Sequence, residues 1–358
     1  MEIQEWLQET IRQKERRAIP IMTHPGIELC GKTVRDAVTS GMVHADAICR
    51  LNEQYPSAAP TVIMDLTVEA EAFSAKVVFP EDEVPSVTEP LVSDKESIDN
   101  LQIPSLDTAR VPEYLKANRL TAERVKDKPV FAGCIGPFSL AGRLFGLSEL
   151  MIALYVEPEN ITVLLEKCTR FLIDYCRAIK ETGVHGVIMA EPAAGLISNE
   201  DSLLYSTTYV RQVVEAVQDE HFIVILHNCG NAGHCTEAMV QSGAAALHFG
   251  NKIDMQDALA NCPEDRLVMG NLDPVGLFKQ SSSEEVYTAT MNLLQQTKTW
   301  KNFVLSTGCD VPPIFRLRIS RHFIKHLLIL TGQCKKREVY QNKLLMHLLF
   351  WILLLFTG

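Results

Sequence analysis

At 358 residues, with 47% hydrophobic and 22% charged side chains, the sequence carries enough apolar material for a large globular core and excludes wholesale disorder. Its net charge of −10 repels phosphate backbones and anionic lipid, and the first 310 residues hold no basic stripe interleaved with aromatics, so nucleic-acid binding is excluded. One domain is expected over residues 1–313, because α/β barrels of about 250 residues with insertions reach this length.

The chain opens on MEIQEWLQETIRQKERRAIP (1–20), charged and amphipathic with no apolar signal core, so a cytoplasmic protein is expected. Its ten cysteines are then read as free thiols in a reducing compartment, some of them available to a metal.

From there the sequence alternates short apolar runs with longer amphipathic stretches. The runs are IPIMTH (19–24), TVIMDL (61–66), PVFAGC (129–134), GVIMAE (186–191), FIVILHNC (222–229), AALHFG (245–250), RLVMGNLD (266–273) and FVLSTGCD (303–310). Near-continuous hydrophobic strands suit a parallel sheet covered on both faces, and eight strand–helix units predict an α/β (β/α)₈ TIM barrel. Residues 33–55, 160–183, 202–220 and 283–298 read as the amphipathic helices between them, with Cys168 and Cys176 as small buried apolar groups. Residues 67–128 are long for one connection and are expected to form an elaborated loop, with a short hairpin or helix, over the barrel mouth as a lid.

The C-terminal 45 residues differ in kind. Residues 314–358 contain eight Lys or Arg and one acid, Glu338, whereas residues 1–313 hold 26 basic and 43 acidic side chains. The final apolar stretch, 344–356, is shorter than the roughly 20 residues that span a bilayer, so no integral membrane segment is expected. A core helix, a membrane-surface segment and an aberrant tail stay open as readings of 314–358.

The strand C-termini of a barrel share one mouth, where the chemistry of this fold sits. Nearly every run here ends in a polar or metal-capable residue: His24, Asp65, Cys134, Glu191, His227 with Cys229, His248, Asp273 and Cys309. Residues i and i+2 of a strand face the same side, so His227 and Cys229 can hold one ion together. Cys309, at the tip of the eighth strand, is the expected third ligand of a zinc ion with one position left for a reactant. A local alternative groups His227 and Cys229 with His234 and Cys235, although Gly230-Asn231-Ala232-Gly233 reads as a turn that carries the latter pair away. Glu191, beside the ligands of the fifth strand, is expected to be a catalytic group, a temporary fourth ligand or a helix cap. His24 and His248 are expected to face the mouth as cofactor contacts, and Asn271 to shape the seventh loop there.

LHNCGN (226–231) with STGCDVPP (306–313), together with GPFSLAG (136–142), residues 64–87, AEPAAGLIS (190–198) and GNLDP (270–274), resembles the uroporphyrinogen decarboxylase superfamily, in its corrinoid-dependent methyltransferase branch. The resemblance spans about residues 1–313 and implies zinc ligands at His227, Cys229 and Cys309. It implies methyl transfer from a methyl-corrinoid, carried by a corrinoid protein as partner, to a small-molecule thiol acceptor activated by Zn²⁺. A second reading is a porphyrinogen decarboxylase, for which the resemblance implies Asp65 as the catalytic-site acid that binds pyrrole nitrogens. That reading lacks support in PIMTHPGIELCGKT (20–33), which contains no arginine to grip a substrate's carboxylates. A third reading is a non-catalytic corrinoid- or metal-binding module. In this family VPP is followed by a polar segment; here the resemblance and the acidic charge are lost together at Ile314, as translation in a shifted frame would produce. DNA carrying a family-like continuation in a neighbouring frame is the test of that reading.

Overall fold

The computed structural model describes residues 2–55 and 57–312. The tail readings for 314–358 therefore lie outside the described residues. A two-residue antiparallel hairpin, β1 (Val77–Val78) and β2 (Ser86–Val87), precedes six strands: β3 (Phe131–Ile135), β4 (Gly186–Ala190), β5 (Ile223–Asn228), β6 (Ala246–Phe249), β7 (Leu267–Leu272) and β8 (Phe303–Thr307). These six pair in parallel in sequence order, with His227 level with Ala190 on one side and His248 on the other.

Two further staves close the barrel. Ala18 bridges Leu305 on β8, Thr61 bridges Phe131 on β3, and Ala58 N–H donates to the Ala18 carbonyl at 3.0 Å, so both edges of the six-stranded sheet meet. The full strands expected at 19–24 and 61–66 are thereby corrected to single bridges. Pro20 has no N–H to offer the second stave, and past Thr61 the Ile63 N–H goes to His44 Nε2 at 2.9 Å instead of to a neighbouring strand. Around Pro20 the Thr307 hydroxyl takes over, accepting from Ile21 N–H at 3.0 Å and donating to the Ile21 carbonyl at 3.2 Å.

Strand alternation builds the interior. Ile223, Ile225 and His227 on β5 share one face, as do Ala246 and His248 on β6 and Val304 and Ser306 on β8. The lower members of these sets pack with Phe131, Ile188, Leu267 and Met269 in one buried cluster. Helix Ile3–Arg12 plugs that lower end, its Trp6 edge-on to Phe131 and its Ile3 N–H bonded to the Glu220 carbonyl just before β5. With that end closed by apolar groups, His227, His248 and Ser306 form the polar layer beneath the opposite mouth. A second, larger apolar cluster lies between the strands and the outer helices, the longest of which, Pro158–Glu181, buries both Cys168 and Cys176.

The long 67–128 connection contains the hairpin and three helices, Val68–Ala72, Lys95–Asn100 and Val111–Arg124. It is pinned to the barrel where Leu91 and Val92 N–H donate to the Leu144 carbonyl at 2.7 and 3.1 Å. Among the described residues no single helix is long and apolar enough to cross a membrane.

Candidate metal centre

β5 ends at Asn228, and its inward side delivers His227 inside the barrel and Cys229 one step above it. Asn228 turns the chain by accepting from Gly230 and Asn231 N–H at 2.9 and 3.0 Å, which fixes the backbone directly after Cys229. Cys309 follows β8 across the mouth, held by the Gly308 N–H bond to the Leu272 carbonyl at 2.6 Å. The structure brings the ligand atoms of His227, Cys229 and Cys309 within 4.8 Å of one another.

The chemistry of this trio fits a divalent soft-to-borderline cation. His227 is buried, and its Nε2 has no hydrogen-bond partner, whereas its Nδ1 lies 2.7 Å from His248 Nδ1. A buried imidazole nitrogen without a partner is costly unless something electrophilic meets it. The two thiols compete for ionisation: the hydrogen bond from Cys309 holds Cys229 down to about 4, and the charge so created, together with burial, pushes Cys309 up. Both sulfurs can be thiolates at once only with a cation between them. One imidazole and two thiolates are a zinc donor set that leaves one corner open.

Cys229 and Cys309 line a cavity of about 630 Å³ at the barrel mouth. Its walls include Leu66, Val87–Pro90 at the end of the hairpin, Ile135, Ser139, Arg143, Leu147, Pro192, Leu196, Asn251 and Lys252. Arg143 and Lys252 make no hydrogen bond or ion pair to a described residue, whereas the one acid in the wall, Glu89, is paired with Lys76 at 3.6 Å. The open charge of the cavity is therefore positive.

Several expected site residues lie elsewhere. His248 is fully buried beneath His227 and does not reach the cavity, which corrects its expected role as a cofactor contact; burial, then the neighbouring His227, holds its pKa far below the ordinary value. His24 is likewise absent from the cavity wall. It starts helix His24–Leu29, with Nδ1 3.0 Å from the Val311 carbonyl and 3.4 Å from Asp310, and although burial opposes its charge, Asp310 leaves its pKa raised. Asn271 acts one layer out, donating to the carbonyls of Gly250 and Ile253 at 3.0 and 2.7 Å and so fixing the loop that carries Lys252.

Glu191 caps helix Pro137–Phe145. Its carboxylate accepts from Phe138 and Ser139 N–H at 2.8 and 2.7 Å and from Ser206 at 3.3 Å, and burial pushes its pKa up to about 7. With both oxygens engaged at a helix N-terminus it is not a ligand beside Cys229, and the capping alternative is the one the geometry displays. Asp65 is buried too, accepting from Thr67 N–H at 3.0 Å, Tyr114 at 3.1 Å and the Arg110 guanidinium. It is an anchor of the 67–128 segment, not a group on the cavity wall. Cys235 is buried against the carbonyls of Ala194 and Ile197, which removes the local alternative to Cys309.

Sequence reasoning missed Arg143, Lys252 and Ser306. Lys252 follows the sixth strand by three residues, and Ser306 shares the inward face of Val304, so the strand-tip and alternation rules reach both. Arg143 comes from a helix, which those rules do not address.

Comparison with known proteins gives the lineage. The chain is 30% identical over 257 residues to the methylcobamide:CoM methyltransferase MtbA of Methanosarcina mazei, a match covering 71% of this chain and 74% of the relative. It is 24% identical over 288 residues to the uroporphyrinogen decarboxylase of Psychromonas ingrahamii, covering 75% and 80%. Among solved structures, a methyltransferase from Methanosarcina mazei superimposes with a TM-score of 0.82 at 18% identity over 91% of this chain and 98% of that one, which establishes the shared barrel. The uroporphyrinogen decarboxylase family matches residues 14–327, fourteen residues beyond the point where the sequence alone stopped resembling it, and the chain belongs to that family.

Proposed function

We propose that the chain is a zinc-dependent methyltransferase that moves a methyl group from a methyl-corrinoid, carried by a partner protein, to a small thiol. The observation that carries this reading is the meeting of a buried His227, with one unpartnered imidazole nitrogen, and the sulfurs of Cys229 and Cys309, which line an open cavity. The relative at 30% identity bears the name of a methylcobamide:CoM methyltransferase, which supports the same reading.

His227 Nε2 and the sulfurs of Cys229 and Cys309 would hold the ion. When bound, zinc lowers the pKa of a thiol ligand so that the acceptor sulfur is presented as a thiolate at neutral pH. Arg143 and Lys252 supply the cavity's unpaired positive charge and orient an acceptor that bears an anionic group at its far end. Leu66, Ile135, Leu147 and Leu196 give the walls an apolar character, which suits the face of a large planar macrocycle. The hairpin end at 87–90 forms part of the rim that a corrinoid protein would cover.

The decarboxylase reading requires Asp65 at the substrate, and Asp65 is enclosed by Arg110, Thr67 and Tyr114 away from the cavity wall. The test is methylcobalamin demethylation with a panel of thiols, using zinc-loaded and chelator-stripped protein. Thiol-dependent turnover that disappears on stripping and returns with zinc supports the proposal. Turnover indifferent to zinc sinks it, and zinc binding without any turnover favours the non-catalytic module.

A further inference from the structure

We infer that His248 and Ser306 are positioning residues that force His227 into its metal-ready tautomer before any metal arrives, resting on the reading of His227 as a ligand. Four buried groups form one line across the barrel interior. His227 Nδ1 lies 2.7 Å from His248 Nδ1, His248 Nε2 lies 2.8 Å from Ser306 Oγ, and Ser306 Oγ lies 2.7 Å from the Ile19 carbonyl oxygen.

The direction of every bond follows from the last member. A carbonyl can only accept, so the single hydroxyl proton of Ser306 goes to Ile19. Ser306 must then accept from His248 Nε2–H. A neutral His248 that carries its proton on Nε2 has a lone pair on Nδ1, so it accepts from His227 Nδ1–H. The proton of His227 is thereby placed on Nδ1, and its Nε2 keeps the lone pair that a metal needs. Nε2 is also the His227 nitrogen that has no partner in the protein.

The reverse polarity fails at the same place. If His227 Nδ1 accepted, Ser306 would spend its proton on His248, and two oxygens would face each other at 2.7 Å with the Ile19 carbonyl unpaired. That carbonyl belongs to a residue only 1% exposed, on the stave that closes the barrel, and no other donor reaches it among the described residues. An unpaired buried carbonyl is disfavoured, so closure of the barrel and readiness of the ligand are coupled through one hydroxyl.

The test combines a tautomer measurement with a metal affinity. In metal-free, ¹⁵N-histidine-labelled wild type at pH 8, two-bond ¹⁵N–¹H couplings should place the His227 proton on Nδ1, the signals being assigned by their loss in His227→Gln. Ser306→Ala should populate both tautomers and weaken zinc binding by about 10- to 100-fold, the range for loss of a hydrogen-bond partner behind a metal ligand, whereas Ser306→Thr, which keeps the hydroxyl, should stay within about threefold of wild type. Wild-type His227 protonated on Nε2 overturns the inference, as does a Ser306→Ala variant with unchanged tautomer and affinity. A Thr variant that behaves like the Ala variant shows that packing sets the affinity and overturns it too. Protein that takes up no zinc yet shows the Nδ1–H tautomer supports the relay and sinks the metal reading alone.

Discussion

Gly250 stands so close to Cys229 that a Cβ on it would come within 2.6 Å of the Cys229 Cα and 2.8 Å of its carbonyl oxygen. Both neighbours are backbone atoms that cannot rotate aside, so the loop after β6 sets the position of one sulfur of the trio. Gly250→Ala must displace Cys229, and it is expected to weaken zinc binding by on the order of tenfold or more, as other disturbances behind a metal ligand do. Competition against a chromophoric chelator measures it. An alanine variant with wild-type affinity would show that Cys229 is free to move without losing the ion.

The ion pair of Arg110 with Asp65 and Glu71 is a second fixed point, and it belongs to stability rather than chemistry. Asp65 is 1% exposed at its side chain, and removal of Arg110 leaves that charge buried without its counter-ion. Arg110→Leu is therefore expected to cost about 3–5 kcal/mol of unfolding free energy. Urea unfolding reads the loss, and zinc stoichiometry in the folded fraction should not change. Loss of zinc without loss of stability would place Asp65 in the site after all.

Glu69 gives the pH signature. It is buried, one oxygen accepts from Ile135 N–H at 3.0 Å and the other has no partner, and burial lifts its pKa to about 7 from the ordinary 4.5. The folded state then holds its proton more tightly than the unfolded chain. Stability from this group is complete below about pH 4.5 and is lost as pH rises to about 7, by up to about 3 kcal/mol. Glu69→Gln removes that loss, so the variant should gain on wild type between pH 5 and pH 8 in denaturant unfolding. Parallel pH profiles for the two proteins would contradict the assignment.

The reach of the sequence into this structure followed the physics of strands. Continuous apolar runs at 186–191, 222–229 and 303–310 read directly as buried parallel strands, and the same period-two alternation put His227 and Cys229 on one side. Three things were not legible. The first two staves are single bridges because side chains from elsewhere, Thr307 for Ile21 N–H and His44 for Ile63 N–H, take groups that a ladder would use, which is a tertiary matter. Position at the end of an apolar run also could not tell a side chain aimed at the cavity from one spent on the scaffold: Glu191 and Asp65 both end such runs, yet a helix N-terminus and a guanidinium from distant segments claim them. Arg143 escaped because its cavity position depends on how helix Pro137–Phe145 lies over the mouth.

Arg143 accordingly carries a prediction about the acceptor. Its guanidinium lines the cavity with no ion-pair partner among the described residues, and a charge-assisted hydrogen bond contributes about 1.5–3 kcal/mol. Arg143→Gln should raise KM for an anionic thiol by roughly tenfold or more, with little change for a neutral thiol of equal size. Equal losses for both would remove anion recognition from its role.

The central claim is that two sulfurs and one imidazole from opposite sides of the mouth share a single ion. X-ray absorption at the zinc edge of the purified protein tests it most directly. The expected spectrum has two protein sulfurs at about 2.3 Å and one imidazole, falling to one sulfur in Cys309→Ser. Wild-type protein without stoichiometric zinc, or a sulfur shell that Cys309→Ser leaves intact, would contradict it.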